Sequence, residues 1–271
     1  MPIDTAYPLS NAEVQAGARM DILSRLYDAT TRRVLDSTGL ASGWRCLEVG
    51  GGGGSVARWM AGRVGPAGSV LCTDIDTRLI ERSRGIAPPN LEVVRHDIAS
   101  DALSAESFDI GHARLVMIHV LERETALKRM VQALKPGGWL VIEDYDPASL
   151  VANAEVNRFE TPLPTSDALQ RYLTRNQDGF YARRLHGIFR ALGLEEVSAE
   201  GRMVMFDRRN GGAELLRLNF EQVGAELIAA GLITQRQIDA DLARLTEEEF
   251  AIPSPIMWSV IGRKPRRRQP A

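Results

Sequence analysis

Five consecutive glycines, residues 50–54, follow the short apolar segment 44–49 and precede the amphipathic segment 55–64. Glycine loses more backbone freedom on folding than any other residue, so such a run at a strand end needs a structural reason. A strand that ends in glycines and leads into a helix N-terminus forms a loop that a ligand can approach closely. The run therefore predicts a cofactor loop in an α/β protein.

Short, nearly continuous apolar segments alternate with amphipathic ones, a pattern typical of parallel strands covered by helices on both faces. The predicted strands are residues 44–49, 69–74, 91–95, 108–113 and 139–145. The predicted helices are residues 11–40, 55–64, 77–86 and 123–134. Two later strands, 194–206 and 256–262, lack a simple strand–helix–strand pattern and predict an antiparallel end to the sheet.

These patterns predict an α/β fold with a Rossmann-like, mostly parallel sheet, an antiparallel last strand, helices on both faces and a small helical cap. The predicted parts are an N-terminal helical segment (1–40), a cofactor-binding core (41–146), a cap insertion and helix (147–192), closing strands (193–263) with a helical insertion (211–250), and a basic tail (264–271).

Composition and charge are those of an ordinary globular protein, with 271 residues, 44% hydrophobic residues and a formal net charge of −2. No global field draws such a chain to nucleic acid or to an anionic membrane. The two cysteines lie in predicted strands and the N-terminus lacks an apolar signal region, so we expect a cytoplasmic protein without a disulfide. Arginine far outnumbers lysine, which indicates a bacterial source.

The glycine run alone is compatible with two cofactor classes, a dinucleotide bound through its pyrophosphate and S-adenosylmethionine. Gly52, Gly54 and Ala57 satisfy the dinucleotide spacing. Glu48 lies two residues before the run, where its carboxylate would repel a pyrophosphate but suit the ammonium of a methionine moiety. Asp74 ends the second strand, where an acid accepts hydrogen bonds from the ribose hydroxyls of either cofactor.

After the third strand, Asp97 is placed to accept from an adenine amino group, with Ile98 and Ile75 enclosing the ring. The segments LEVGGGGGS, CTDID, RHDI, FDIGHARLVMIHV and LKPGGWLVIEDYD then resemble, in order, the motifs of class I S-adenosylmethionine-dependent methyltransferases of the small-molecule, secondary-metabolite (UbiE-like) kind. The resemblance is strong over about residues 35–146. It implies a seven-stranded sheet and S-adenosyl-L-methionine as the cofactor.

The same resemblance implies a role for each matching residue. The glycines approach the methionine moiety, Asp74 holds the ribose, and Arg114 pairs with the methionine carboxylate or with substrate. The implied cofactor-binding residues are Glu48, Gly50, Gly52, Gly54, Asp74, Ile75, Asp97, Ile98 and Arg114.

Catalytic candidates lie after the fourth and fifth strands, since ligands of open α/β sheets bind at the carboxyl ends of the strands. His119 is our first choice of general base, because the ordinary pKa of a histidine suits neutral pH. Tyr145 and Asp144 are candidates to contact the substrate. We interpret His112, inside the fourth strand, as a core residue, and we predict no bound metal.

The predicted function is transfer of the methyl group of S-adenosylmethionine to an oxygen, nitrogen or carbon nucleophile of a small molecule, in secondary metabolism. The stretch after the fourth strand lacks the Asn/Asp-Pro-Pro-aromatic loop of nucleobase-amine methylation, so we expect no nucleic-acid partner. A membrane partner is not expected either, and a homodimer is left open. Two alternatives remain, an NAD(P)-dependent reductase and a methyltransferase-fold protein with altered or lost catalysis.

Overall fold

The computed structural model describes residues 15–82, 88–150, 163–175 and 179–267. Parts of the predicted N-terminal helix, of helix 77–86, of the cap insertion and of the basic tail lie outside these ranges. The helices are α1 (Ala16–Ser37), α2 (Ser55–Val64), α3 (Arg78–Arg82), α4 (Arg123–Ala133), α5 (Pro164–Thr174), α6 (Tyr181–Ala191), α7 (Gly212–Ala229) and α8 (Gln235–Arg244). The strands are β1 (Arg45–Val49), β2 (Ser69–Asp74), β3 (Leu91–Arg95), β4 (Phe108–Arg114), β5 (Leu134–Asp146), β6 (Glu195–Arg202), β7 (Met205–Asp207), β8 (Ala251–Pro253) and β9 (Ile256–Arg263).

One sheet contains seven of these strands, in the order β3-β2-β1-β4-β5-β9-β6. β1 pairs in parallel with β2 and β4, and the parallel pairing continues outward to β3 and β5. β9 pairs antiparallel with β6, with Ala199 opposite Val260. The predicted α/β fold, with a mostly parallel sheet and an antiparallel last strand, is confirmed.

The long strand predicted at residues 194–206 is divided in the structure. β6 ends at Arg202, and β7 pairs instead with β8 in a separate antiparallel sheet, with Phe206 opposite Ile252. The backbone N–H of Ser254 donates to Val204 O (2.8 Å), and the Ser254 hydroxyl accepts from Val204 N (3.1 Å). These bonds engage Val204 with the β8–β9 connection, so the apolar segment forms two strands rather than one.

Apolar clusters bury both faces of the seven-stranded sheet, as nearly continuous apolar strands require. One face packs against α4 and α6 through residues such as Leu47 and Ile142. The other face packs against α1 and α2 through residues such as Cys46, Ile110 and Val141. Charged side chains continue this second face toward the carboxyl ends of β1, β4 and β5, where they are also buried.

The chain divides into two compact units. One unit, residues 27–145, 181–202 and 257–271, contains most of the seven-stranded sheet. The other unit, residues 1–26, 146–180 and 203–256, contains α5, α7, α8 and the β7–β8 pair around its own apolar cluster, which includes Leu169, Val223 and Ile238. Within the described ranges, no helix has both the length and the apolarity that crossing a membrane requires.

Candidate cofactor and acceptor site

The glycine loop, residues 50–54, connects β1 to α2 at the carboxyl end of the sheet. The φ angles of Gly50, Gly52 and Gly54 are 70°, 52° and 78°, in the left-handed region that favours glycine. Four of the five loop amides donate within the protein. Gly50 and Gly51 donate to Thr73 O, Gly54 donates to Gly51 O, and Gly52 donates to the Asp74 carboxylate.

Neighbouring side chains explain why several of these positions are glycine. A Cβ at Gly50 would lie 2.2 Å from Val116 Cγ2, and one at Gly51 would lie 2.2 Å from Cys72 Sγ. At Gly54 the obstacle is Ile80, whose Cδ1 would lie 2.6 Å away. The protein's own packing therefore requires glycine at these three positions, whatever ligand the loop binds.

Asp74, at the end of β2, is fixed by the loop that it faces. Its Oδ2 accepts from Gly52 N (2.9 Å) and its Oδ1 accepts from Asp76 N (3.0 Å). Burial raises the pKa of this carboxyl, and the two backbone N–H donors oppose that shift. A carboxylate has about four acceptor positions, so both oxygens keep capacity for the hydroxyls of a ribose.

The residues predicted to hold an adenine lie in different environments. Ile75 is 54% exposed beside Asp74, whereas Ile98 is 4% exposed and packs in the core. Asp97 caps its own turn, because its Oδ1 accepts from Ala99 N (2.8 Å). Of the two isoleucines, Ile75 is thus the one whose side chain is exposed to solvent.

Glu48 is buried and paired with the residue that we interpreted as ordinary core. His112 Nδ1 donates to Glu48 Oε2 (2.6 Å), and His112 Nε2 donates to Glu143 Oε2 (3.3 Å). Glu143 also accepts from the hydroxyls of Thr31 and Ser259, the latter at 2.6 Å. These five side chains form a network, here called the Glu48–His112–Glu143 network, that joins β1, β4, β5, β9 and α1.

The carboxylates set the charge of this network. Burial lowers the pKa of His112, but the charge of Glu48 and hydrogen bonds with Glu143 and Glu48 outweigh burial and raise the pKa to about 9. Burial raises the pKa of Glu143, but the hydrogen bond with His112 and the His112 charge reverse that effect and lower it overall. His112 is therefore an imidazolium at neutral pH, between two carboxylates.

Arg114, predicted to bind the methionine carboxylate or substrate, contacts α1. Its Nη1 donates to Thr31 Oγ1 (2.9 Å) and its Nη2 donates to Asp28 Oδ1 (2.9 Å). Asp28 also accepts from the Ser55 hydroxyl (3.2 Å), at the start of α2. Arg114 therefore connects β4 to α1 beside the Glu48–His112–Glu143 network.

The three catalytic candidates surround the end of β5. His119 lies half-buried in a 3₁₀ turn, Met117–His119, and Asp144 Oδ2 accepts from Ile118 N (2.8 Å) in that turn. Burial raises the pKa of Asp144 to about 7. The chain enters the turn through Leu115, whose φ of 57° is unusual for a residue other than glycine.

Tyr145 points to the other face of β5, where its hydroxyl donates to that of Tyr27 (2.9 Å). The two rings meet edge to face, with centroids 5.8 Å apart. Burial raises the pKa of Tyr145 well above its ordinary value, so the phenol keeps its proton at neutral pH. It is suited to hydrogen bonding rather than to accepting a proton.

The site fits S-adenosylmethionine better than a dinucleotide. A pyrophosphate needs free backbone N–H groups in the loop, and four of the five are already engaged. An acid, Glu48, precedes the loop, and Asp74 supplies acceptors for a ribose. Within the described residues, no group of three or more His, Cys, Asp or Glu side chains is arranged to hold a metal ion.

Sequence reasoning missed the pairing of His112, Asp28 and Thr31 with the predicted site residues. One signal was available: the ionisable residues Glu48, His112 and Glu143 interrupt three otherwise apolar predicted strands. The structure places these three strands side by side. Parallel strands of this kind are usually apolar there, so three such residues at the same end should be expected to contact each other.

The description of a matching family model is "Methyltransferase domain", and the match covers residues 47–142. Over 132 residues the chain is 30% identical to a ubiquinone/menaquinone biosynthesis C-methyltransferase from Ectopseudomonas mendocina, a match that covers 46% of this chain and 51% of that protein. The chain spans about half the length of the curated relatives that it matches.

Solved structures show the same fold. A candidate methyltransferase from Bacillus halodurans superposes with a TM-score of 0.55 at 17% identity, over 86% of this chain and 98% of that one. A phosphoethanolamine N-methyltransferase from Haemonchus contortus, solved with phosphomonomethylethanolamine and S-adenosylhomocysteine, gives a TM-score of 0.51 at 18% identity, over 84% of this chain and 50% of that one.

Proposed function

We propose that this chain, whose residues 47–142 match a family model described as "Methyltransferase domain", is a class I S-adenosylmethionine-dependent methyltransferase that moves the methyl group of that cofactor to a nucleophile of a small molecule. The observation that carries the proposal is the contact of Asp74 with the glycine loop, where Gly52 N and Asp76 N each hold one carboxylate oxygen. This arrangement orients an acceptor for a ribose while leaving few loop amides for a pyrophosphate.

The cofactor would be held by residues at the ends of β1, β2 and β3. We assign the ribose to Asp74, the methionine ammonium to Glu48 and the adenine amino group to Asp97. We assign the adenine ring to Ile75 and Ile98. Gly50, Gly52 and Gly54 shape the loop. Arg114 is engaged by α1, so we assign it to positioning that helix as well as to a carboxylate.

Bound S-adenosylmethionine supplies an activated methyl group, so the protein's part is to align the acceptor and exclude water. We assign removal of the acceptor's proton to His119. Asp144 orients the turn that carries His119, through its bond with Ile118 N. Tyr145 keeps its proton and donates a hydrogen bond.

The acceptor class is proposed from the curated relatives. The likeness to a ubiquinone/menaquinone biosynthesis C-methyltransferase supports testing carbon nucleophiles of small molecules first, before oxygen and nitrogen. A net charge of −2 gives no general attraction to nucleic acid. A panel of small-molecule acceptors with mass analysis of the products checks this assignment, and methylation of RNA or DNA instead would contradict it.

Replacement of Asp74 tests the cofactor site. We expect Asp74→Ala to weaken binding of S-adenosylhomocysteine about 10- to 100-fold in calorimetric titration, because hydrogen bonds to a charged acceptor are lost. Asp76→Ala is the matched control, since the Asp76 side chain contacts Arg78 instead of the loop. Equal affinities in wild type, Asp74→Ala and Asp76→Ala would refute the ribose assignment.

A further inference from the structure

The two ring nitrogens of His112 each face a carboxylate. Nδ1 lies 2.6 Å from Glu48 Oε2, and Nε2 lies 3.3 Å from Glu143 Oε2. A neutral imidazole has one N–H, so one of its nitrogens would present a lone pair to a carboxylate oxygen. With both carboxyls ionised, only the imidazolium places a donor opposite each carboxylate oxygen, so the geometry favours that form.

The two carboxylate oxygens of Glu48 differ in their contacts. Oε2 accepts from His112, whereas Oε1 accepts no hydrogen bond from the part of the chain that the structure describes. Glu48 lies two residues before Gly50, the first residue of the glycine loop. One oxygen is thus held by the protein, and the other is left to meet a donor.

Residues of four elements bind either His112 or its partner Glu143. Glu48 faces it from β1 and Glu143 from β5, while Thr31 of α1 and Ser259 of β9 fix Glu143 in turn. Beyond Thr31 lies the Arg114–Asp28 ion pair (2.9 Å). A buried imidazolium with two carboxylates leaves one net negative charge, which suits a cationic ligand group.

We propose that His112 is a positioning residue that acts through Glu48, holding its Oε2 so that Oε1 receives the ammonium of the cofactor's methionine moiety. This inference rests on the proposed function, because it assumes that S-adenosylmethionine binds at the glycine loop. It goes further in assigning to the buried His112 the positioning of the carboxylate that recognises one charged group of the cofactor.

Two ligands separate this role from a merely structural one. S-adenosylhomocysteine carries the methionine ammonium, whereas 5′-methylthioadenosine keeps the adenine, ribose and sulfur but lacks the amino-acid portion. In His112→Gln, the neutral amide donates through one end only and presents its oxygen to the other carboxylate. We expect S-adenosylhomocysteine to bind at least about tenfold more weakly to His112→Gln, while affinity for 5′-methylthioadenosine changes by less than about twofold.

Control variants sharpen the comparison. Glu48→Gln removes the negative charge that we assign to the methionine ammonium. This variant should also bind S-adenosylhomocysteine more weakly, with little change in its affinity for 5′-methylthioadenosine. His186→Gln makes the same chemical change on α6, outside the network, and should leave both affinities as in wild type. Equal weakening of both ligands in His112→Gln, or of neither, would overturn the inference.

A wild-type measurement keeps the inference testable if His112→Gln does not fold. The ¹⁵N shifts of the His112 ring should show both nitrogens protonated at neutral pH, and a neutral tautomer would overturn the proposal. If wild-type protein binds neither ligand, the proposed function fails and this inference fails with it. If wild type binds both ligands and His112→Gln shows no selectivity, only this inference fails.

Discussion

At the scale of single residues, two independent constraints require glycine in the loop: the backbone conformation and the packing of neighbouring side chains. Positive φ angles demand glycine at Gly50, Gly52 and Gly54. Contacts with Val116 and Cys72 exclude a Cβ at Gly50 and Gly51, independently of backbone conformation. Four of the five loop amides are also bonded within the protein, so we expect ligand binding to require little further ordering of the loop.

Gly51→Ala tests this packing. We expect the variant to lose about 1–3 kcal/mol of unfolding free energy, because its Cβ would overlap Cys72 Sγ. Gly62→Ala is the control: Gly62 is exposed on α2 with no atom near its Cβ, so alanine should add about 0.5–1 kcal/mol. Urea unfolding measures both, and equal stability of the two variants would contradict the account.

The sequence predicted that these residues form a loop but not why each is glycine. Val116, Cys72 and Ile80 are distant in sequence, and their contacts depend on how strands and helices pack. His112 is similar. It could be placed in a buried strand, and an ionisable residue there indicates a polar partner. The pairing with Glu48 in particular depends on the β1–β4 register, in which the two lie opposite each other.

At the scale of elements, the mostly parallel sheet and its antiparallel end follow from patterns that the local sequence carries. Apolar runs and their spacing identified the parallel strands, because these strands are buried on both faces. The division of 194–206 into β6 and β7 could not be predicted, since it depends on bonds between Val204 and the distant Ser254. The polar contacts of α1 with the sheet were hidden for the same reason.

The 3₁₀ turn after β4 depends on Asp144, which gives it a pH dependence. Burial raises the pKa of Asp144 from 3.8 to about 7 in the folded protein, so the folded state holds a proton that the unfolded state releases. This residue's contribution to stability therefore falls as pH rises from about 4 to 7. We expect the stability of Asp144→Asn, relative to wild type, to rise over that range by as much as about 4 kcal/mol.

Urea unfolding of Asp144→Asn and wild type at acidic and at slightly alkaline pH measures this difference. Asp36→Asn is the control, because Asp36 forms an exposed ion pair with Arg63 and should contribute little at either pH. A difference between Asp144→Asn and wild type that does not change with pH would show that the Asp144 carboxyl is not perturbed.

At the scale of the whole molecule, one unit carries the sheet and the family match, and the other has its own helical core. The fold followed from the apolar patterning, and the order of the motifs predicts the cofactor class, since each motif marks the end of a particular strand. The acceptor did not, because fold does not determine site chemistry and the curated relatives match over about half their length. The five-part division of the chain and the homodimer stay predictions.

The central claim is that the glycine loop and its acids bind S-adenosylmethionine rather than a nicotinamide dinucleotide. Calorimetric titration of wild-type protein with S-adenosylhomocysteine, and separately with NADPH and NADH, tests it most directly. We predict one saturable site for S-adenosylhomocysteine and no binding of either dinucleotide, because four of the five loop amides are engaged and Glu48 repels a pyrophosphate. Binding of a dinucleotide without binding of S-adenosylhomocysteine would contradict the account.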